Sequence, residues 1–86
     1  MQFQYTTRGV CSRGIEFDIQ DDVIQGVNFI GGCDGNLKGL SNLVVGMPPK
    51  EAIKRLGGIK CGNRATSCPD QLSLALTEAI SSKSFR

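Results

Sequence analysis

The sequence predicts one small α+β domain: a three-stranded antiparallel sheet followed by about three helices packed on one of its faces. Three observations predict it. Apolar and polar residues alternate in the first thirty or so residues, and apolar residues recur at helical spacing after them. The strand half and the helix half do not interleave, so the helices gather on one face of a single sheet. The chain has 86 residues, the length of one domain, and that domain spans 1–86. Leu, Ile, Val and Phe make up about 27% of it, above the roughly 20% below which chains tend to stay disordered. The resulting core is small for independent stability, which favours a staple or a partner.

Phe3, Tyr5 and Thr7 alternate with polar neighbours and predict the first strand. Ile15, Phe17 and Ile19 alternate with Glu16, Asp18 and Gln20 and predict the second. Asp21-Asp22 supplies a turn. Val23 to Ile30 follows, with Val23, Val27 and Phe29 on one face. Short turns between successive strands imply an antiparallel meander. Gly31-Gly32-Cys33-Asp34-Gly35-Asn36 is a loop with helix-start chemistry. Leu37, Leu40, Leu43 and Val44 form one helical stripe, which Gly46 stops. Pro48-Pro49 opens a second helix with Ala52, Ile53 and Leu56 as its apolar face, and Gly57-Gly58 ends it. In the third, Pro69 suits the first helical position, which makes Cys68 the N-cap. Asp70 lies in the first turn, where a negative charge is favoured. Leu72, Ala75, Leu76, Ala79 and Ile80 form its buried face, and residues 81–86 are expected to fray. The other sheet face is left exposed or for a partner.

Composition excludes several functions. Ten basic and eight acidic residues give a net charge of +2, interspersed and without a basic block, so nucleic acid is not expected as the main partner. No apolar run reaches the roughly 18 residues of a membrane span. The stretch Met1 to Arg8 has no basic segment followed by an apolar one, so the cytoplasm is the expected compartment. There is no histidine, which removes histidine-based acid–base catalysis. No catalytic residue is expected, and a metal site must use thiolates, with or without a carboxylate.

Four cysteines stand at Cys11, Cys33, Cys61 and Cys68. In a reducing compartment they read as metal ligands or redox groups rather than as two disulfides. All four fall at predicted element ends, where loops converge, and none falls inside an apolar stripe. Cys33 and Cys68 stand at predicted helix N-termini, whose unpaired N–H groups and positive dipole end stabilise an anion. The anionic form of sulfur is both ligand and nucleophile. Arg13, Lys60 and Arg64 lie close to cysteines in sequence and could offset the charge of a thiolate cluster. The spacing contains no Cys-x2-Cys knuckle, so it is not that of a zinc finger or ribbon. Four converging thiolates would suit tetrahedral Zn(II) or an iron–sulfur cluster. The glycines around Cys33 read as a tight turn rather than a phosphate cradle, since the Lys-Ser/Thr of a P-loop is missing. Asp34, Thr66 and Ser67 read as capping and turn residues.

The run Thr66-Ser67-Cys68-Pro69-Asp70-Gln71-Leu72 resembles the signature of the TSCPD domain family. Gly9-Val10-Cys11, Phe29-Ile30-Gly31-Gly32-Cys33 and Leu56-Gly57-Gly58-Ile59-Lys60-Cys61 match in order, so the resemblance covers almost the whole chain and all four cysteines. The domain occurs at the C-terminus of adenosylcobalamin-dependent ribonucleotide reductases and as short free-standing proteins, which this chain resembles. The reductase's radical chemistry resides in a large barrel domain, which these 86 residues are not expected to supply. The resemblance therefore implies an accessory role: metal binding, docking to a reductase, or contact with nucleotide or nucleic acid. The element order is also similar to that of the U-type iron–sulfur cluster scaffolds, in which three cysteines hold zinc or a nascent cluster. Cys11, Cys33 and Cys68 would take those places and Cys61 would be extra. Arg13 and Ser67 depart from that family, which has Asp and His there.

The expectation is a cytoplasmic, non-enzymatic domain that binds a metal through Cys11, Cys33, Cys61 and Cys68. Zn(II) is the first choice and an iron–sulfur cluster the second. A non-metal module docking on a ribonucleotide reductase or another protein is the alternative, as is a thiol redox protein in which Cys61 and Cys68 form a reversible disulfide.

Overall fold

The first two strands alternate as expected because every second side chain is apolar and packs toward the core. The computed structural model describes residues 2–10, 12–32, 34–60, 62 and 66–83, without the side chains of residues 34, 82 and 83. Strands β1 (Gln2–Thr6), β2 (Ser12–Gln20) and β3 (Val23–Gly31) precede helices α1 (Asp34–Val44), α2 (Pro49–Leu56) and α3 (Cys68–Lys83). The sheet has the order β1-β2-β3, antiparallel throughout, with Phe3 opposite Phe17 and Phe17 opposite Val27. The Phe3 and Phe17 rings stack with centroids 5.2 Å apart. Asp21 and Asp22 join β2 to β3 with φ of 54° and 63°, the paired positive values of the two-residue turn whose twist suits a hairpin.

Two bulges set the register. One lies between Ser12 and Gly14, and the other lets Asp18 face Gly26 while Ile19 faces Ile24. The second bulge leaves Gln25 as an extra residue and flips the faces before it. Ile24 is therefore fully buried, and Val23, expected on the core face, is only half-buried. A one-residue slip moves every side chain across the sheet.

One helical layer covers the sheet. Helix α1 packs against β3, α2 packs along α3, and α3 meets β2. The core joins Ile15, Phe17, Ile19 and Ile24 of the sheet to Val44, Ala52, Leu56, Leu72, Ala75, Leu76 and Ala79 of the helices. Leu43, expected in the α1 stripe, is 68% exposed, and Ser41 is buried in its stead. Positions 37, 41 and 44 share a face at 3.6 residues per turn, and 43 lies off it. The Ser41 hydroxyl costs little there because it donates to the Leu37 carbonyl at 2.8 Å. Gly46, at φ 90°, turns the chain so that its N–H donates to the Ile24 carbonyl at 2.7 Å, while the Ile24 N–H donates to the Met47 carbonyl at 2.9 Å. These two bonds tie the exit of α1 to the edge of β3. Among the described residues no helix is long and apolar enough to cross a membrane.

The uncovered sheet face is polar. Glu16 accepts from Gln4 Nε2 at 3.0 Å and from Asn28 Nδ2 at 3.4 Å. These amides, with Gln2, Asp18 and Gly26, line an open depression of about 720 Å³.

Candidate functional site

The N-terminus of α3 is the point where distant loops meet. Ser67, not Cys68, caps the helix. Its hydroxyl accepts from the Asp70 N–H at 3.2 Å, and its carbonyl accepts the first helical bond, from the Gln71 N–H at 2.8 Å. A cap needs a short side-chain oxygen, which serine has and cysteine lacks. The expected frame therefore moves by one residue: Cys68 is the first helical residue and Pro69 the second, where its missing N–H is still harmless.

The other polar groups of this turn bind loops. The Ser67 hydroxyl donates to the Ile59 carbonyl at 2.6 Å. Asp70 accepts from the Thr66 hydroxyl at 2.6 Å and from the Gly58 N–H at 2.8 Å. These bonds hold the Asp70 carboxyl below the usual carboxylate range, the Thr66 hydroxyl more than the Gly58 N–H, against the opposing effect of burial. The buried Gln71 donates its Nε2 to Thr66 Oγ1 at 3.0 Å, and its side-chain Oε1 accepts from the Arg8 N–H at 3.0 Å. Thr66, Ser67, Asp70 and Gln71 thus latch the chain after α2 and the chain after β1 onto one helix start.

The sheet reaches the same place. Ser12 Oγ lies 3.3 Å from Cys68 Sγ, and both residues are buried, 3% and 7% exposed. Ser12 opposes Gly31 in the β2–β3 ladder. Gly31 has φ of +78°, and a Cβ there would lie 3.4 Å from Arg13 Nε, so the Arg13 side chain lies beside this turn. Gly9, at φ +71°, takes a conformation that favours glycine and lies beside Thr66, whose Cγ2 would be 3.4 Å from a Cβ there. The Thr7 hydroxyl closes the β1–β2 connection by donating to the Ser12 carbonyl at 2.5 Å.

Of the four expected ligands, Cys68 lies at this junction, and Cys11, Cys33 and Cys61 lie outside the described residues. Among the described residues no three Cys, Asp or Glu side chains gather as a metal site. Of the junction residues, Ser12 was not singled out in the sequence, and Gln71 entered only as part of the run Thr66 to Leu72. Ser12 and Gln71 are polar residues on otherwise buried surfaces, and their partners are 56 and 63 residues away along the chain. No local pattern announces such a pairing.

A family model described as the TSCPD domain matches residues 1–80. No curated protein and no solved structure matches the chain.

Proposed function

The chain belongs to the TSCPD domain family, and from that premise we propose that it is a small metal-binding accessory domain whose ligands are Cys11, Cys33, Cys61 and Cys68. The observation that carries this reading is the gathering of the cysteines' described neighbours around Cys68. Ser12, next to Cys11, hydrogen-bonds to the Cys68 sulfur. Gly31, two residues before Cys33, pairs with Ser12. Ile59, two residues before Cys61, accepts from Ser67.

The donor chemistry fits a thiophilic ion. The chain has no histidine, and the described ligand is a buried sulfur beside a hydroxyl, at the helix end where negative charge is stabilised. Zn(II) is the first choice because four thiolates close a tetrahedral structural site. An iron–sulfur cluster is the second. Either would tie the β1–β2 loop, the start of α1 and the chain after α2 to α3, and so supplement a small core. No catalytic step is assigned to the domain. Its place is in the cytoplasm beside a larger protein, such as the ribonucleotide reductase that the family resemblance brings in.

Elemental analysis with an ultraviolet–visible spectrum, on protein purified without oxygen or chelators, tests the reading. One colourless zinc per chain supports a closed structural site. Iron with sulfide and visible absorption shifts it to a cluster carrier. No metal after reconstitution removes it. A mass lower by about two daltons before reduction than after would then favour the Cys61–Cys68 redox pair.

A further inference from the structure

We propose that the outer edge of β1 is an interaction surface for a second copy of this chain, paired antiparallel about a two-fold axis at Gln4. This pairing needs no metal. β1 is an edge strand, and its ladder with β2 fixes where its backbone groups point. The Thr7 N–H donates to the Arg13 carbonyl at 3.4 Å, so residues 7 and 13 form a hydrogen-bonded pair. Such pairs alternate along an antiparallel ladder, which puts Tyr5 with Ile15 and Phe3 with Phe17 in the same class. The Tyr5 carbonyl agrees, because a Cβ on Gly14 would lie 3.2 Å from it, so it points toward β2. Gln2, Gln4 and Thr6 therefore turn their N–H and C=O groups away from β2, to the open edge.

An open edge is a template for pairing, and proteins commonly blunt it with charge, proline or a bulge. β1 has none of these. It reads Gln-Phe-Gln-Tyr-Thr, and its register with β2 is unbroken. The other edge differs: β3 is bulged at Gln25, and both Ile24 backbone groups are taken by Gly46 and Met47. Three features select a second copy as the occupant of the β1 edge. The first is charge. A chain of net charge +2 meets its like best across uncharged residues, and β1 is uncharged whereas β2 carries Arg13, Glu16 and Asp18. The second is symmetry. About Gln4, Gln2 falls opposite Thr6 of the second copy and Phe3 opposite Tyr5. Every outward N–H and C=O then finds a partner, and the aromatic residues meet in non-hydrogen-bonded pairs, whose side chains stand closer. The third is burial. The helices are centred on β2 and β3, and Phe3 and Tyr5 are left half-buried at the rim of the core. Tyr5 of the second copy would extend the stack that Phe3 makes with Phe17 at 5.2 Å.

Sedimentation velocity of the full chain over a range of concentrations tests the pairing. The mass should rise from 9.2 kDa toward twice that value. Gln4→Lys suits the single copy, since the ammonium lies beside Glu16, whose Oε2 the Gln4 amide meets at 3.0 Å, but it sets two like charges opposite each other on the axis. Gln4→Pro removes an N–H that β2 does not use, a position where an edge strand tolerates proline. Each should weaken the dimer about tenfold or more, with the circular dichroism of the monomer unchanged. In a mixture of isotope-labelled and unlabelled protein, a nuclear Overhauser contact is expected between Phe3 Hα of one copy and Tyr5 Hα of the other. Within one strand these residues are about 6.6 Å apart, so the contact reports the pairing. A wild-type chain that stays at 9.2 kDa up to about 1 mM overturns the inference. So does a dimer that both folded variants keep, because it would lie on another face. Should the variants not fold, the wild-type contact decides, and a dimer without it refutes the pairing.

Discussion

Replacing Asp70 by asparagine should loosen the junction without emptying the core. The carboxylate accepts two bonds, from the Thr66 hydroxyl at 2.6 Å and from the Gly58 N–H at 2.8 Å. Asparagine keeps the shape, but the two bonds use both carboxylate oxygens and an amide has only one acceptor oxygen, so one bond is lost outright and the other loses the charge that strengthens it. The bond to Thr66 is half-buried and contributes about 1.5 kcal/mol as a charge-assisted bond. The bond to Gly58 is exposed and contributes about 0.5 kcal/mol. A loss of about 2 kcal/mol lowers the melting temperature of a domain this size by about 8–16 °C. The same bonds hold the Asp70 carboxyl below its ordinary range, so the sign of the pH effect follows. The folded state binds this proton more weakly than the unfolded chain does. Its contribution is complete above the unfolded value of about 3.9 and disappears as pH falls through the lower, folded value. The assay is thermal melting by circular dichroism of both proteins from neutral pH down to about pH 2. The gap between them should be widest at neutral pH and close in that acid window. A gap under about 2 °C at neutral pH, or one that widens on acidification, would refute the reasoning.

Two other perturbations probe separate parts of the molecule. Leu76→Ala removes a fully buried side chain and should cost about 2–5 kcal/mol, read in urea as a lower midpoint at unchanged slope; a cost under about 1 kcal/mol would mean that the α3–sheet core is looser than its burial indicates. Cys33→Ser and Cys68→Ser should each lower both metal content and melting temperature, and full metal occupancy with unchanged melting in both would sink the four-cysteine site.

The strands and helices were legible because they are local patterns. Ile15, Phe17 and Ile19 alternate with charged neighbours, and Leu72, Ala75, Leu76 and Ala79 recur at helical spacing; both sets lie in the core. The bulge at Gln25 was not legible. Nothing in Val-Ile-Gln-Gly distinguishes a regular strand from one with an extra residue, and the extra residue decides whether Val23 or Ile24 is buried. The cap at Ser67 was half legible. The sequence marked a helix start there, and the pull of Pro69 toward the first position misplaced it by one. The long-range contacts of Ser12 and Gln71, to Cys68 and Arg8, were beyond reach for a different reason. A buried polar residue is explained by its partner, and these partners come from the far end of the chain. The sequence offered a set of thiols at element ends as the candidate site, and of these Cys68 lies among the described residues, at the start of α3. Their neighbours' convergence on α3 is a tertiary fact.

The run Thr66 to Asp70 divides its labour. Thr66, Ser67 and Asp70, with Gln71 after them, direct their side-chain hydrogen bonds to one another, to the cap and to two loops. Pro69 fixes the first turn. Only Cys68 places its side chain against the sheet, on Ser12. The latch needs no metal to form, because every one of its bonds is made between protein groups. On the proposed metal-binding reading the thiols act through the ion. Latch and thiols should therefore separate thermodynamically. Asp70→Asn should lower the melting temperature of the metal-free and the metal-loaded protein by similar amounts. Cys68→Ser should bring the loaded protein down toward the metal-free value and change the metal-free protein much less, since serine is close to cysteine in shape. Melting each variant with and without a saturating metal gives four temperatures that decide the matter. If Asp70→Asn lowered only the loaded form, the latch would exist to bind metal. If Cys68→Ser lowered both forms equally, the sulfur would be a packing group, and the run would be a fold-closing device with no ion in it.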